Sequence, residues 1–412
     1  MSTAPITPLE TLISRKGKDL PGLRMGDPKR SAEVISFSAG YPDRDSLPAA
    51  AIIDATKTAL EAEGEWALQY GHGLGNRHLA DLILDKLKRG VGIDASPDHI
   101  LITAGASQAI ALAVDLLVDW GDTIITEAPT WAGAVRAFQN AGARAISVPI
   151  DEDGTDVEAL ERTLAELKDA GVSPKFIYTI PTFQNPTGVS TSLERRKKLI
   201  ALAHDYGTFI FEDDAYAGLR YGGEQLPTLY ELDDRGTTLY FGTLSKTLGA
   251  GMRLGWVVAH PTLIDKMAVL KVDGSTNVFG SYVAAAWIPE HLDEHIEELK
   301  AIYQHRRDLM LAQLAEHMPE GVSWSEPDGG FFIWLTLPEG IDTSQMAAQA
   351  RERGVEYLPG GGCFVDGTGQ HTLRLSFSFA RDAEIEEGVR ILGEIIEGEL
   401  AESGLRRPVA TS

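Results

Sequence analysis

The 412-residue chain has a single cysteine, Cys363, and too little basic charge to balance its acids. One thiol excludes an internal disulfide framework and suits a reducing interior, so a cytoplasmic location is expected. Only 37 Lys and Arg stand against 60 Asp and Glu, a formal net charge of -23. A surface of that sign repels phosphate backbones and anionic headgroups, so neither nucleic acid nor membrane is expected as a partner. Long hydrophobic runs are also missing. The longest, AIALAVDLLVDW, is broken by Asp115 and Asp119 and falls short of the roughly 20 apolar residues a bilayer requires. The opening MSTAPITPLETLISRKGKDL has no apolar core behind a basic start, so it does not read as a secretion signal. Ten histidines are scattered without HExxH or CxxC spacing, and no metal site is expected.

What the chain does have is a 43% hydrophobic content, enough for one large core or two moderate ones. From residue 99 short β-rich runs recur: HILIT, DTIITE, ARAISVPI, KFIYTI, TFIFED and TLYFGT. Helix-length segments with apolar residues at three-to-four spacing separate most of them, among them ASQAIALAVDLLVDW, WAGAVRAFQNAG, TDVEALERTLAELKDAG and SLERRKKLIALAHDYG. This alternation predicts an α/β layered domain with a mostly parallel sheet. Beyond residue 290 a long charged helix, the run GGFFIWLTLP, a helix near 343–353 and HTLRLSFSF predict a smaller α+β domain. The first fifty residues are too short to stand alone and are expected to pack on that second domain. The tail AESGLRRPVATS is expected to fray.

Functional candidates gather at the carboxyl ends of the strands, where an α/β layer builds its ligand site. After HILIT, the residues Gly105, Ala106, Ser107 and Gln108 open a helix whose free N–H groups and positive dipole end suit a phosphate. An ordinary βα turn is the competing reading. KFIYTI leads into IPTFQNPTG, with Asn185 before a proline, and TFIFED ends on Asp213 with Tyr216 three residues on. Turn formation and helix capping are the bland roles of these three. Lys246 follows TLYFGT inside TLSKTLGAGMRLG, and Arg253 lies seven residues beyond. A lysine there forms a Schiff base if its surroundings deprotonate the amine, and Thr243 and Arg253 offer a hydroxyl and a planar fork to phosphate oxygens. Lysine, phosphate cradle and buried carboxylate together describe a site for pyridoxal phosphate, whose pyridine nitrogen needs an acidic partner. Arg374 alternates with Leu373 and Leu375 in HTLRLSFSF and asks for an anion, either a ligand or a structural carboxylate.

The order of YGHGLG, GASQ, EAPTW, QNPTG, EDDAY, TLSKTLGAGMRLGW and LRLSFS resembles the class I/II aminotransferases of fold type I, closest to the 2-aminoadipate, kynurenine and aromatic aminotransferase subgroup, over residues 35–395. The resemblance implies an α/β fold type I transferase. A large domain, 51–289, holds a mostly parallel central sheet flanked by helices, and an N-terminal arm, 1–50, joins a small α+β domain, 290–412. It implies that Lys246 carries pyridoxal 5'-phosphate as a Schiff base and shuttles the proton between the substrate Cα and the cofactor C4'. Asp213 pairs with the pyridinium nitrogen, and Asn185 and Tyr216 bind the ring hydroxyl oxygen. The phosphate rests on Gly105, Ala106 and Ser107 with Thr243, Ser245 and Arg253. Trp131 stands where the subgroup usually stacks a tyrosine on the cofactor; an indole stacks as well but lacks the phenol oxygen. Thr243 replaces the commoner serine and keeps a hydroxyl.

By the same resemblance Arg374 grips the substrate α-carboxylate, and the segment of Gly40 in SFSAGYPD closes over the substrate. Tyr70 in YGHGLG reaches the phosphate of the neighbouring subunit, which implies a homodimer with shared active sites. The implied reaction moves an amino group from an amino acid to a 2-oxo acid by a ping-pong mechanism. Arg15, Arg24, Lys29 and Arg30 are open as grips for a second carboxylate, so donor specificity stays open too. PGGGCF, 359–364, matches a turn before the carboxylate-binding strand.

Rival readings fare less well. Neither GHGLGN nor GAGMRLG fits the G-x-G-x-x-G of a dinucleotide site, and Ser245 stands where a nucleotide phosphate loop needs glycine. A regulator with an aminotransferase-like sensor domain would need a basic DNA-binding module, and the first fifty residues show none. Other pyridoxal phosphate enzymes, such as a carbon–sulfur lyase, a decarboxylase or an amino-acid oxidase, share the lysine and carboxylate; Arg374 and the continuous pattern favour transamination.

Overall fold

The computed structural model describes residues 9–14, 17–18 and 34–403. With strands numbered in chain order, its centre is an eight-stranded sheet ordered β2 (Ile100–Thr103), β9 (Gly255–Val258), β8 (Thr238–Thr243), β7 (Phe209–Asp213), β6 (Phe176–Thr179), β3 (Thr123–Ala128), β4 (Arg144–Asp151) and β5 (Gly154–Thr155). Strands β8, β7, β6, β3 and β4 run parallel, while β9 is antiparallel to both its neighbours. β9, the run GWVV, is a strand that the alternation did not mark; glycine and arginine in front of it hide its start.

The period of two along each strand sorts side chains between two layers. Ile125, Ile177 and Ile210 face the helices Val157–Asp169 and Leu193–Tyr206. Phe176, Tyr178, Phe211 and Phe241 face the helices Ala106–Leu117 and Ala132–Ala141. Phe176 stacks on Phe211 at 3.8 Å between centroids, and Phe241 meets Phe211 edge-on at 5.1 Å. Each such ring contributes about 1.5–3 kcal/mol on burial, so this aromatic row holds the register. A one-residue slip would turn it, and Asp213 with it, to the far face.

The smaller domain has an antiparallel sheet ordered β10 (Ser323–Trp324), β11 (Phe332–Thr336), β14 (Thr372–Ser376) and β13 (Leu358–Pro359), covered by the helices Thr343–Glu352 and Asp382–Glu402. The N-terminal segment joins it. β1 (Ile35–Ser36) pairs in parallel with β12 (Val355–Glu356), and Phe37 is buried in that core.

One long helix serves both domains. Expected to start at 290, it spans Val278–His317, 40 residues or about 60 Å, and runs through Pro289. Asn277 caps it by accepting from the Gly280 N–H. Proline removes one hydrogen bond of the ladder, and burial of Trp287, Ile288 and Leu292 around it offsets that loss. Val283 to Ile296 belong to a core with the helices Ala49–Ala67 and Arg77–Val91, whereas Leu299, Tyr303, Met310 and Leu314 belong to the small-domain core. The boundary expected at 289/290 thus falls inside a continuous helix, and the cores change hands between Ile296 and Leu299. The last helix extends to Glu402, and residues 404–412 of the tail lie outside the described residues. Among the described residues, no helix is long and apolar enough to cross a membrane.

Candidate active site

The carboxyl ends of β6, β7 and β8, the start of the helix Ala106–Leu117 and the segment of Gly40 enclose a cavity of about 280 Å³. Of the residues singled out from the sequence that the structure describes, twelve line it; Gly105, Gln108 and Tyr70 do not.

At one end lies an anion cradle. Gly105, with φ 79°, turns the chain into the helix and offers its first free N–H groups. Gly255 of β9 faces it so closely that a Cβ there would lie 2.5 Å from Gly105 C and 2.6 Å from Ala106 N. Arg253 adopts φ 48°, which returns its side chain to the cradle. Its Nη2 donates to Ala104 O at 2.8 Å and its Nη1 reaches Ser245 Oγ at 3.5 Å. Thr243 Oγ1 lies 2.9 Å from Ser245 Oγ and accepts from the Ser245 N–H at 3.1 Å. A guanidinium, two hydroxyls and a helix N-terminus converge there, the donor set a phosphate ester takes.

Lys246 stands in a π-helical turn, Ser245–Gly249, directly after β8. Its Nζ donates to Gly40 O at 2.9 Å and lies 5.7 and 5.6 Å from the ring centroids of Tyr216 and Phe331. Burial first, then the Arg374 cation, lowers its pKa to about 8, while Asp213 pulls the other way. Such an amine is partly neutral near neutral pH and is a competent nucleophile.

Asp213 ends β7 with its carboxylate fully buried. Oδ2 accepts from the Tyr178 hydroxyl at 2.7 Å, and Oδ1 has no partner among the described residues. Burial pushes its pKa up to about 7, against the Tyr178 hydrogen bond. A buried carboxylate oxygen left unpaired on a cavity wall calls for a donor from a ligand.

Arg374, in β14, is buried with no carboxylate paired to it among the described residues. Nη1 donates to Asn185 Oδ1 at 2.8 Å, Nη2 donates to Ser38 O at 2.5 Å, Nε has no partner among the described residues, and the guanidinium lies 3.9 Å from the Phe332 ring centroid. A structural ion pair therefore does not account for it. With Asn185 Oδ1 occupied, its amide N–H groups face Tyr216, whose hydroxyl accepts from Asn185 and whose pKa burial raises. Trp131 caps the helix Ala132–Ala141 and folds its indole over Gly133, where a Cβ would lie 2.3 Å from the ring.

A strap, residues 38–46, covers the cavity from the small-domain side. Ser38 and Gly40 hold Arg374 and Lys246 through their carbonyls. Ser378 Oγ donates to Tyr41 O at 2.7 Å, the Asp43 N–H donates to Tyr303 Oη at 2.9 Å, and Arg306 Nη2 pairs with Asp43 Oδ1 at 2.8 Å.

Sequence reasoning missed several residues that shape this site. Glu127, buried at the end of β3, accepts from Thr155 Oγ1, Thr179 Oγ1, the Ile180 N–H and Gln184 Nε2, and so fixes the loop that carries Asn185. It opens the motif EAPTW, yet nothing in a single sequence reveals four donors drawn from distant segments. Phe332 and Tyr41 line the cavity from the second domain, and Tyr178 reaches Asp213 from the neighbouring strand.

Tyr70 is 85% exposed and rests on the Gly274 turn, so it is neither a core aromatic nor part of the cavity within one chain. Cys363 is a free, buried thiol whose carbonyl accepts from the Thr130 N–H. Arg15, Arg24, Lys29 and Arg30 lie outside the described residues. One group of potential metal ligands, His204, Asp233 and Asp234, sits apart from the cavity. Asp233 there already accepts from His204, Thr237, Thr238 and the Arg235 N–H, as an anchor for the turn into β8.

Residues 32–392 match the family model for aminotransferase class I and II. The chain is 39% identical to aromatic-amino-acid aminotransferase 1 of Thermococcus litoralis over 90% of its own length and 89% of the relative's. It is 35% identical to 2-aminoadipate transaminase of Thermus thermophilus over 89% and 91%. Its fold superposes with a TM-score of 0.90 on a Pyrococcus horikoshii kynurenine aminotransferase in complex with PMP, 38% identical, covering 95% of this chain and 98% of that one.

Proposed function

The chain belongs to the class I and II aminotransferases and uses pyridoxal phosphate to move amino groups between amino acids and 2-oxo acids; from that footing we propose that the reaction runs at Lys246, inside the cavity just described. The observation that carries this assignment is the unpaired, buried Asp213 Oδ1 in the same cavity as an amine of lowered proton affinity. When bound, the cofactor supplies a carbonyl that accepts the amino nitrogen and a conjugated ring that takes up the electron pair released at Cα.

The chain's own residues do the rest. Lys246 would hold the cofactor through its amine and would serve as the base that moves the proton at the substrate Cα. Asp213 Oδ1 would accept a hydrogen bond from the protonated ring nitrogen and so keep the proton on that nitrogen. Asn185 and Tyr216 would donate to the ring hydroxyl oxygen, Trp131 would offer the ring an aromatic face, and Ala106, Ser107, Thr243, Ser245 and Arg253 would hold the phosphate. Arg374, with Nε unpartnered among the described residues and Phe332 beneath it, would take the α-carboxylate, and Gly40, where a Cβ would lie 2.7 Å from the Phe332 ring, lets the strap close on that ring. Tyr41, Ile180 and Phe332 give the remaining wall an apolar surface, which suits aromatic or aliphatic donor side chains.

The large domain ends where the long helix changes cores, between Ile296 and Leu299. The enzyme is a cytoplasmic homodimer, with Tyr70 completing the partner's phosphate cradle. In support, Leu68, Tyr70, Val269 and Val272 are all more than two-thirds exposed, an apolar surface that a second copy would cover. Sedimentation should give twice the chain mass, and a monomer with full activity would remove the shared-site reading.

The visible absorption spectrum of the purified protein tests the central assignment. A band that amino donors shift and a 2-oxo acid restores is expected in the native enzyme and absent from Lys246→Ala. Native-like turnover by that variant would remove Lys246 from the chemistry.

A further inference from the structure

Tyr178 sits in the aromatic row of β6, where its neighbours are phenylalanines. Phe176, Phe211 and Phe241 fill the equivalent places on the same face, and Tyr178 is as fully buried as they are, edge-on to Phe138 at 5.2 Å. Packing alone would be served by one more phenylalanine, so the hydroxyl needs its own account. It has one: its donation to Asp213 Oδ2 at 2.7 Å. The register pairs Tyr178 with Phe211, two residues before Asp213 and on the same face. The phenol therefore reaches one carboxylate oxygen from the neighbouring strand and leaves Oδ1 to the cavity.

We propose that Tyr178 is the positioning residue for Asp213: its hydroxyl fixes the carboxylate's orientation and holds its negative charge, so that Oδ1 meets the ring nitrogen of the bound cofactor. The inference rests on the assignment of Asp213 to that nitrogen. A carboxylate buried without a donor takes up a proton, and a fixed O–H favours the ionised form. Of the groups that face Asp213, Asp214 and Glu127 work against ionisation, Lys246 favours it through space, and Tyr178 alone among the described residues donates to it. Burial and the Asp213 charge both hold the phenol itself protonated, so it stays a donor. Asp213 is kept charged by a neutral neighbour, with no second cation spent beside a cofactor whose own ring nitrogen carries the positive charge.

The test uses cofactor-free full-length protein, wild type and Tyr178→Phe, titrated by fluorescence with pyridoxal phosphate and with its analogue that has carbon in place of the ring nitrogen. Phenylalanine differs by one atom, and the analogue engages every part of the site except the Asp213 contact, so it reports whether the site is intact. The expected result is pyridoxal phosphate affinity about 10- to 100-fold weaker in the variant, the loss of one hydrogen bond to a charged group, with analogue affinity unchanged. Equal loss for both ligands means a merely structural tyrosine and overturns the proposal, as does undiminished affinity for pyridoxal phosphate. If wild type itself fails to prefer pyridoxal phosphate over the analogue, the Asp213 assignment falls and the proposal with it. A preference present in wild type and fully kept in Tyr178→Phe overturns the role of Tyr178 alone.

Discussion

The lowered pKa of Lys246 gives the most exposed prediction. With a pKa of about 8 instead of the ordinary 10.5, about 10% of the amine is neutral at pH 7 rather than about 0.03%, roughly 300-fold more nucleophile. In cofactor-free protein, the rate of Lys246 acetylation by a trace of acetic anhydride, read by mass spectrometry between about pH 6 and 11, should therefore turn over near 8. Two variants should move that midpoint in opposite directions. Arg374→Met removes a repelling cation and lets it rise, whereas Asp213→Asn removes the carboxylate that favours the ammonium and lets it fall. A shared change in solvent access would move both the same way. A wild-type midpoint at or above 10, or shifts of one sign in both variants, would refute the electrostatic account.

Asp213 also couples to stability. Its folded pKa, about 7, lies above the ordinary value of 3.8, so the penalty for ionising it is absent below the lower value, grows as pH rises and is complete above the higher one. Asp213→Asn should therefore stabilise the cofactor-free protein by about 2–3 kcal/mol more at pH 8 than at pH 5, and a pH-independent difference in denaturant unfolding would contradict this. Gly255→Ala puts a methyl against the Gly105–Ala106 backbone; overpacking of about 1–3 kcal/mol should weaken pyridoxal phosphate binding at least several-fold, and native affinity in an equilibrium titration would show that the cradle yields. Arg374→Lys keeps the charge and loses the fork, so kcat/KM for amino donors should drop about 10- to 100-fold with cofactor affinity held; a parallel loss of cofactor would place Arg374 in the wrong half of the site.

The strand-and-helix alternation carried the layered architecture, and strand ends located Asn185, Asp213 and Lys246, because period-two patterning and position in a layer are local properties. Contacts between segments were not legible. Tyr178 reads as one more apolar strand residue until β6 and β7 are set side by side, and the stacking of Arg374 on Phe332 depends on neighbouring positions in β11 and β14. The upstream half of the long helix, VFGSYVAAAWI, is apolar nearly all round and gives no face to recognise, while its charged half does. That Tyr70 stands 85% exposed is hidden for the same reason: exposure is decided by distant chain, not by neighbours in sequence.

The strap over the cavity also orders events during synthesis. Ser38 is tied to Arg374 across 336 residues and Asp43 to Arg306 across 263. At roughly 5–20 residues per second, a nascent chain waits about 15–70 seconds between making the strap and making its anchor. Within that interval the sheet, the phosphate cradle and Lys246 have all emerged. Every other residue that lines the cavity is thus made before Arg374, the last of them the ribosome delivers.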